Sequence, residues 1–208
     1  MLIDFESEDT LTIARQLIGR ELIHATQEGV TSGYISEVEA YLGKEDKASH
    51  AYGGRRTHRT EVIYLSGGHI YVYLCYGIHW MLNIVTGPVD RPHAILIRGI
   101  IPSRGIELMR KRRNGVKDGL LCNGPGKLSQ AMAIDAKLNA IELGGQLRIL
   151  KNDLEIPEDQ IEKGPRIGID YAGEDASLPY RFLWEPKDYT TILEKARLVQ
   201  TDGLPSNR

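Results

Sequence analysis

The sequence predicts an α+β fold: a single domain over residues 1–208 with a largely antiparallel, curved β-sheet, peripheral helices and a protruding β-hairpin. Two observations carry this expectation. Strand-like runs near 20–25, 33–39, 69–75, 79–86 and 94–101 are separated mostly by turns, and helical stretches enter irregularly, unlike a regular βαβ succession. At 208 residues, 41% hydrophobic and 26% charged, the chain can also bury a substantial core, which one large domain accommodates without repeats or linkers.

The elements follow in order. Ser7 or Asp9 caps a first helix whose apolar stripe is Leu11, Ala14, Leu17 and Ile18, and Gly19 suits its left-handed end. Glu21 to His24 alternate as a strand, with His24 expected as an ordinary strand-face residue, and Gln27-Glu28-Gly29 turns the chain into the strand that carries Glu39. Ser66-Gly67-Gly68 precedes residues 69–75, which alternate strongly; residues 79–86 return, placing Tyr76 near the tip of a hairpin. Ala94 to Ile101 forms a strand bearing Arg98 and stopped by Pro102. A helix over 103–113 ends in the cations Arg110 to Arg113, and Gly124-Pro125-Gly126-Lys127 opens another containing Leu128, Ala131 and Met132. Short strands are expected near 147–150 and 166–169, followed by the aromatic run Tyr180, Phe182, Trp184; the tail around Ile192-Leu193 reads as a peripheral helix or frayed end.

The stretch from Ser36 to Arg59 concentrates chemistry: an acid at a strand end, then aromatic, histidine and arginine residues in a Gly-rich loop. Glu37 and Glu39 lie two apart and share a strand face, as does Tyr41. On its own each glutamate is more often a solvated sheet residue, but an acid beside aromatic walls can hold a water and deprotonate it. Ten tyrosines against two Phe and two Trp, seven of them before residue 80, suit a flat heterocycle as well as a core. Arg55, Arg56 and Arg59, with Lys127 and Arg110 to Arg113, offer separate basic patches within a net charge of −2, so local clusters matter more than the total.

Other chemistries fit poorly. Leu121 and Leu128 stand where a phosphate-binding Walker loop needs Gly and Ser or Thr. His50, His58, His69 and His79 lack compact ligand spacing, and Cys75 and Cys122 sit in neither a metal nor a nucleophile motif. Two isolated cysteines, no leader-like N-terminus and no apolar run of spanning length predict a reducing, cytoplasmic setting, near the nucleoid if the source is bacterial.

The ordered series Glu37-Val38-Glu39-Ala40-Tyr41-Leu42-Gly43, Asp46, Ala48, His50, Gly53, Arg55, Thr57, Tyr71-Val72-Tyr73, Tyr76-Gly77, Asn83, Leu96-Ile97-Arg98, Asn123 to Leu128 and Gly164 to Gly168 closely resembles the 3-methyladenine (alkyladenine) DNA glycosylase family over roughly residues 10–184. That resemblance implies hydrolysis of the N-glycosidic bond of an alkylated or deaminated purine flipped out of duplex DNA, leaving an abasic site. By the same resemblance Glu39 activates water and Arg98 orients the water or a phosphate. Tyr41 and Tyr73 sandwich the base, His50 lines the pocket, Asn83 crowds the exocyclic amine of guanine, and Tyr76 fills the vacated stack. DNA contacts fall to Arg55, Thr57, Arg59 and Lys127. Double-stranded DNA is the expected partner and water the nucleophile, with no cofactor, metal or membrane, and the enzyme is expected as a monomer. His58 and His79 depart from what is familiar in vertebrate members, loosening the basic loop and removing a helper beside the wedge. Residues 185–208 carry no assigned role. The alternative is a catalytically silent damaged-nucleic-acid binding module, against which the acid at position 39 speaks.

Overall fold

The computed structural model describes residues 3–6, 9–152, 154 and 156–186. Its first helix, α1 (Thr10–Leu17), is capped by Asp9, which accepts from the Thr12 N–H at 3.1 Å; Ser7 and the tail beyond Pro186 lie outside the described residues. Thr10, Ile13, Ala14 and Leu17 form its buried face, while Leu11 packs only at the edge of the core.

The sheet comprises β1 (Glu21–Thr26), β2 (Gly29–Tyr41), β3 (Ile70–Cys75), β4 (His79–Thr86), β5 (His93–Arg104), β6 (Leu147–Leu150), β7 (Ile161–Gly164) and β8 (Arg181–Trp184). Its main path runs β3-β4-β5-β2-β1-β6, and all its strand pairs are antiparallel, as the alternating runs predict. The 13-residue β2 organises it: its first half pairs with β1, most of its length with β5, and Glu37 to Glu39 with β8. Register shifts at Ser32/Gly33 and on both sides of Glu37 are bulges, which bend a strand and increase its twist, so the sheet curls around this point.

Alternation along the strands separates two faces. Val38 and Ala40 of β2, Ile70 and Val72 of β3, and Ile95 and Ile97 of β5 face a core shared with α1, α2 (Ile106–Arg112) and α3 (Pro125–Met132). Each fully buried Leu or Ile there contributes about 1.5–3 kcal/mol, so this layer fixes the strand register. The intervening residues, Glu39, Tyr41, Tyr71, Tyr73 and Arg98, necessarily point to the other side.

Three expectations are corrected. Pro102 does not stop β5, which runs on to Arg104; Pro102 lies opposite Gly33 beside a bulge, where the ladder tolerates a missing donor. The helix expected over 103–113 starts only at Ile106, because Ser103 and Arg104 belong to β5 and Gly105, at φ +69°, makes the turn. Residues 166–169 are not a strand: the strand is Ile161–Gly164, Pro165 follows it, and the Arg166 side chain turns into the protein. Among the described residues, no helix is long and apolar enough to cross a membrane, and no group of three or more His, Cys, Asp or Glu side chains is arranged to hold a metal ion.

Candidate active site

Strand register builds the site. Tyr71 lies opposite Asn83, Asn83 opposite Leu96, and Leu96 opposite Glu39, so one row across β3, β4, β5 and β2 carries an aromatic ring, an amide, an apolar residue and a carboxylate on one face. Tyr41 and Tyr73 stand two residues along β2 and β3. Together with His50 and Asn83 they line a recess of about 50 Å³, which adjoins a wider cleft of about 440 Å³ also walled by Tyr41, His50 and Tyr73.

Glu39 lies one layer beneath that cleft, with 0% of its surface exposed. Its Oε2 accepts from the Tyr41 hydroxyl at 2.8 Å and sits 3.4 Å from Arg98 Nη1, and its Oε1 accepts from the Ile167 N–H at 2.7 Å. These three covering residues all line the cleft. Burial pushes the carboxyl above its ordinary range, and Glu37 adds to this; Arg98, the Ile167 N–H and the Tyr41 hydroxyl act against it. Arg98 is shared between two acids, with Nε 2.9 Å from Glu37 Oε1, and Arg181 reaches the same oxygen at 2.6 Å. Tyr41 in turn is held firmly protonated by burial and by the neighbouring carboxylate, so its hydroxyl is a donor.

His50 follows a tight turn in which Asp46 accepts from the Leu42 and Ala48 N–H groups. Its Nδ1 lies 3.0 Å from the Tyr71 hydroxyl, and its ring meets Tyr73 edge to face at 4.7 Å. Burial, with Arg59 and Arg55 nearby, holds this imidazole down to about 4, so it is neutral at physiological pH. Asn83 is buried and directs its Nδ2 to the Tyr71 carbonyl at 3.1 Å.

The hairpin tip and the basic loop border the same cleft. Tyr76 and Gly77 both have positive φ, 50° and 73°, and the Ile78 N–H closes the turn on the Cys75 carbonyl at 3.0 Å. Tyr76 is 92% exposed. His79 does not join it; its ring lies against Gly126 at the start of α3, where a Cβ would come within 2.7 Å of the imidazole. Arg59 stacks its guanidinium 5.0 Å from the Tyr73 ring centre. Arg55 and Thr57 are exposed in the same loop, the Thr57 N–H bonding Thr60 Oγ1 at 2.8 Å, and exposed Lys127 donates to Asn123 Oδ1 at 3.0 Å. Arg56 differs from its neighbours: Glu61 and Asp90 each hold it at 2.6 Å. Arg110, with Glu107 and Asp118, and Arg112, with Glu28, are likewise matched, so these cations are not open basic patches.

Spacing alone does not point to Leu96 in the floor of the cleft, to Tyr171 at its lip, or to the roles of Asp46 and Arg166 behind it. Tyr171, 72% exposed, donates to the Ala48 carbonyl at 3.2 Å and borders both recess and cleft.

Comparison with known proteins places this geometry in context. The sequence model of the family described as methylpurine-DNA glycosylase matches residues 4–188. A protein of Chlamydia pneumoniae named "Putative 3-methyladenine DNA glycosylase" is 49% identical over 193 residues, covering 91% of this chain and 96% of its own. Proteins of the same name from Bacillus cytotoxicus and Bacillus licheniformis are 42% and 44% identical, covering 87% and 86% of this chain and 94% and 90% of theirs.

Proposed function

The chain belongs to the methylpurine-DNA glycosylase family, and from that membership and the cleft we propose that it excises alkylated or deaminated purines by activating water with Glu39. It is a DNA N-glycosylase acting in the repair of alkylated bases. A base inside a duplex offers no path for in-line attack on C1′, so the nucleotide is turned out of the stack at a cost of a few kcal/mol. Tyr76 at the hairpin tip fills the gap, and the base enters between Tyr41 on one side and Tyr73 with His50 on the other. Water enters with the base from the cleft above Glu39, while the Tyr41 hydroxyl and the Ile167 N–H keep the carboxylate in place.

In the chemical step the bond between C1′ and the purine nitrogen breaks, its electron pair leaving with the base. Water adds to the cationic sugar carbon and loses a proton to Glu39; a cationic methylpurine departs as the neutral base, whereas hypoxanthine or ethenoadenine departs as an anion that takes up a proton from solvent water, giving free purine and an abasic site. Arg98 favours the ionised form of Glu39 against the effect of burial, and orients the water or a phosphate. A purine methylated at N3 or N7 already carries positive charge, which the faces of Tyr41 and Tyr73 favour. Neutral His50 adds no competing cation to the pocket. Asn83 excludes guanine by crowding its exocyclic amine, and Arg55, Thr57, Arg59 and Lys127 bind the DNA backbone. The substrate class is 3-methyladenine, 7-methylguanine, hypoxanthine and ethenoadenine in double-stranded DNA, and the enzyme works as a monomer without a cofactor.

The observation that carries this reading is a buried carboxylate covered by Tyr41, Arg98 and Ile167, all three lining a tyrosine-walled cleft. Base-release assays on duplexes containing each lesion test it. Glu39→Gln is expected to lower single-turnover release by about 100-fold or more; release at the wild-type rate would remove Glu39 from the chemistry.

A further inference from the structure

Glu39 is held by a backbone donor that belongs to a loop, and a loop donor is only as well placed as the loop itself. Ile167, whose N–H meets Glu39 Oε1, is 51% exposed, and Gly168 after it has φ +75°. The residue before it is different. Arg166 is 5% exposed and points inward, donating from Nη2 to Asp46 Oδ1 at 2.8 Å, from Nη1 to the other Asp46 oxygen, from Nη1 to the Ala40 carbonyl at 2.9 Å and from Nη2 to the Asp175 carbonyl at 3.4 Å. Its guanidinium carbon also lies 4.7 Å from the Tyr41 ring centre and 5.2 Å from that of Tyr180.

One side chain therefore braces both flanks of the carboxylate: the loop that donates to Oε1 and the phenol that donates to Oε2. A buried ion pair often contributes no more to stability than well-packed apolar groups of the same volume, and here Arg166 Nε has no hydrogen-bond partner among the described residues. The arrangement is better explained by the geometry it imposes. We propose that Arg166, anchored by Asp46, is a positioning residue for the glycosylase reaction, holding Glu39 toward the attacking water through the Ile167 N–H and the Tyr41 phenol. This inference rests on the reading of Glu39 as the base.

The charged and titratable groups facing Glu39 are Arg98 from β5, Glu37 and Tyr41 from β2, and Arg166 from the segment after β7. Losing the Ile167 donor removes one of the groups that favour the ionised carboxyl, so the acid limb of kcat/KM moves to higher pH. The decisive variant is Arg166→Lys, which keeps the charge and loses the planar, bidentate hold on Asp46. Base release from a hypoxanthine duplex, followed from pH 5 to 9, is expected to show the acid limb raised by about one pH unit, kcat lowered about 10- to 100-fold and KM within about twofold. A folded Arg166→Lys protein with the wild-type limb and kcat overturns the proposal, however far its melting temperature falls. Where that variant does not fold, Arg166→Gln carries the test, with the same loss of kcat at unchanged KM expected and wild-type kcat overturning it. Glu39→Gln run alongside separates the two ideas. An active Glu39→Gln protein ends the reading of Glu39 as base and this inference with it. An inactive one beside an Arg166 variant of wild-type behaviour ends this inference alone.

Discussion

His50 shows how a pocket of tyrosines sets the charge of its neighbours. Burial and the cations Arg59 and Arg55 disfavour the imidazolium, holding its titration near 4 rather than the usual 6.5. The sign follows from proton binding: below about pH 6.5 the unfolded chain takes up a proton that folded His50 refuses, so its contribution is complete above that pH and is lost as pH falls toward 4. The loss is on the order of 1–2 kcal/mol after discounting for partial exposure. His50→Gln keeps a polar partner for Tyr71 and has no proton to bind, so its melting temperature should fall less steeply between pH 6.5 and 4.5 than that of the wild type. Parallel slopes in scanning calorimetry would remove His50 as the source. Buried His24, bonded to the Met132 carbonyl and also held down by burial, drops out of the difference because both proteins share it. At this scale alternation along one strand makes the shared face of Glu39 and Tyr41 legible, whereas Tyr73 is marked only by the resemblance to the family. Arg166 stays hidden: its partners at Ala40 and Asp46 lie 126 and 120 residues away, and no local period reports such a contact. The only trace is the run Gly164-Pro165-Arg166-Ile167-Gly168, where an arginine sits between turn-forming residues.

The hairpin of β3 and β4 is the element whose shape speaks most directly of duplex DNA. Its turn places Tyr76 and Ile78 outward, 92% and 72% exposed, at the edge of the cleft that holds the candidate pocket. Two large apolar side chains in water at a hairpin tip contribute nothing to the core, so Tyr76→Ala should leave stability within about 0.5 kcal/mol. Stacking of an aromatic on a base is worth about 1–3 kcal/mol, so the same substitution should weaken binding to a lesion duplex by about 5- to 150-fold and affect a single strand less. Equal losses on both, measured by titration, would contradict a wedge that replaces a base in the stack. The hairpin is readable because two alternating runs flank Tyr76-Gly77, and β4 begins and ends at the expected residues 79 and 86. The errors fall where a tertiary contact overrides a local rule. Pro102 reads as a stop, yet a bulge opposite Gly33 lets β5 continue; residues 166–169 read as a short strand, yet the buried pair with Asp46 bends them into a brace.

Across the whole molecule, a net charge of −2 gives no general attraction to a polyanion, so DNA affinity depends on how the 26 Lys and Arg residues are partnered. Many are neutralised in place: Arg15 and Lys163 by Glu158, Lys47 by Glu174, Arg56 by Glu61 and Asp90, Arg110 by Asp118, and Arg112 by Glu28. Around the cleft the pattern changes. Arg59 lies over Tyr73 in the cleft wall, Arg55 is exposed in the same loop, and Lys127 donates to the neutral amide of Asn123, two residues before the cleft residue Pro125. If these three cations each meet one phosphate, counterion release predicts that log of the binding constant falls with log salt at a slope of about −3, near −0.9 per contact. Arg59→Ala should then flatten the slope by about one and weaken binding to damaged and undamaged duplex alike, since a phosphate contact carries no base information. Arg110→Ala, whose cation is already matched by Glu107 and Asp118, should leave the slope where it is. Fluorescence anisotropy between 50 and 200 mM salt distinguishes the cases. A slope that drops equally for both variants would mean that total charge, rather than the local set of cations beside the cleft, governs the approach to DNA.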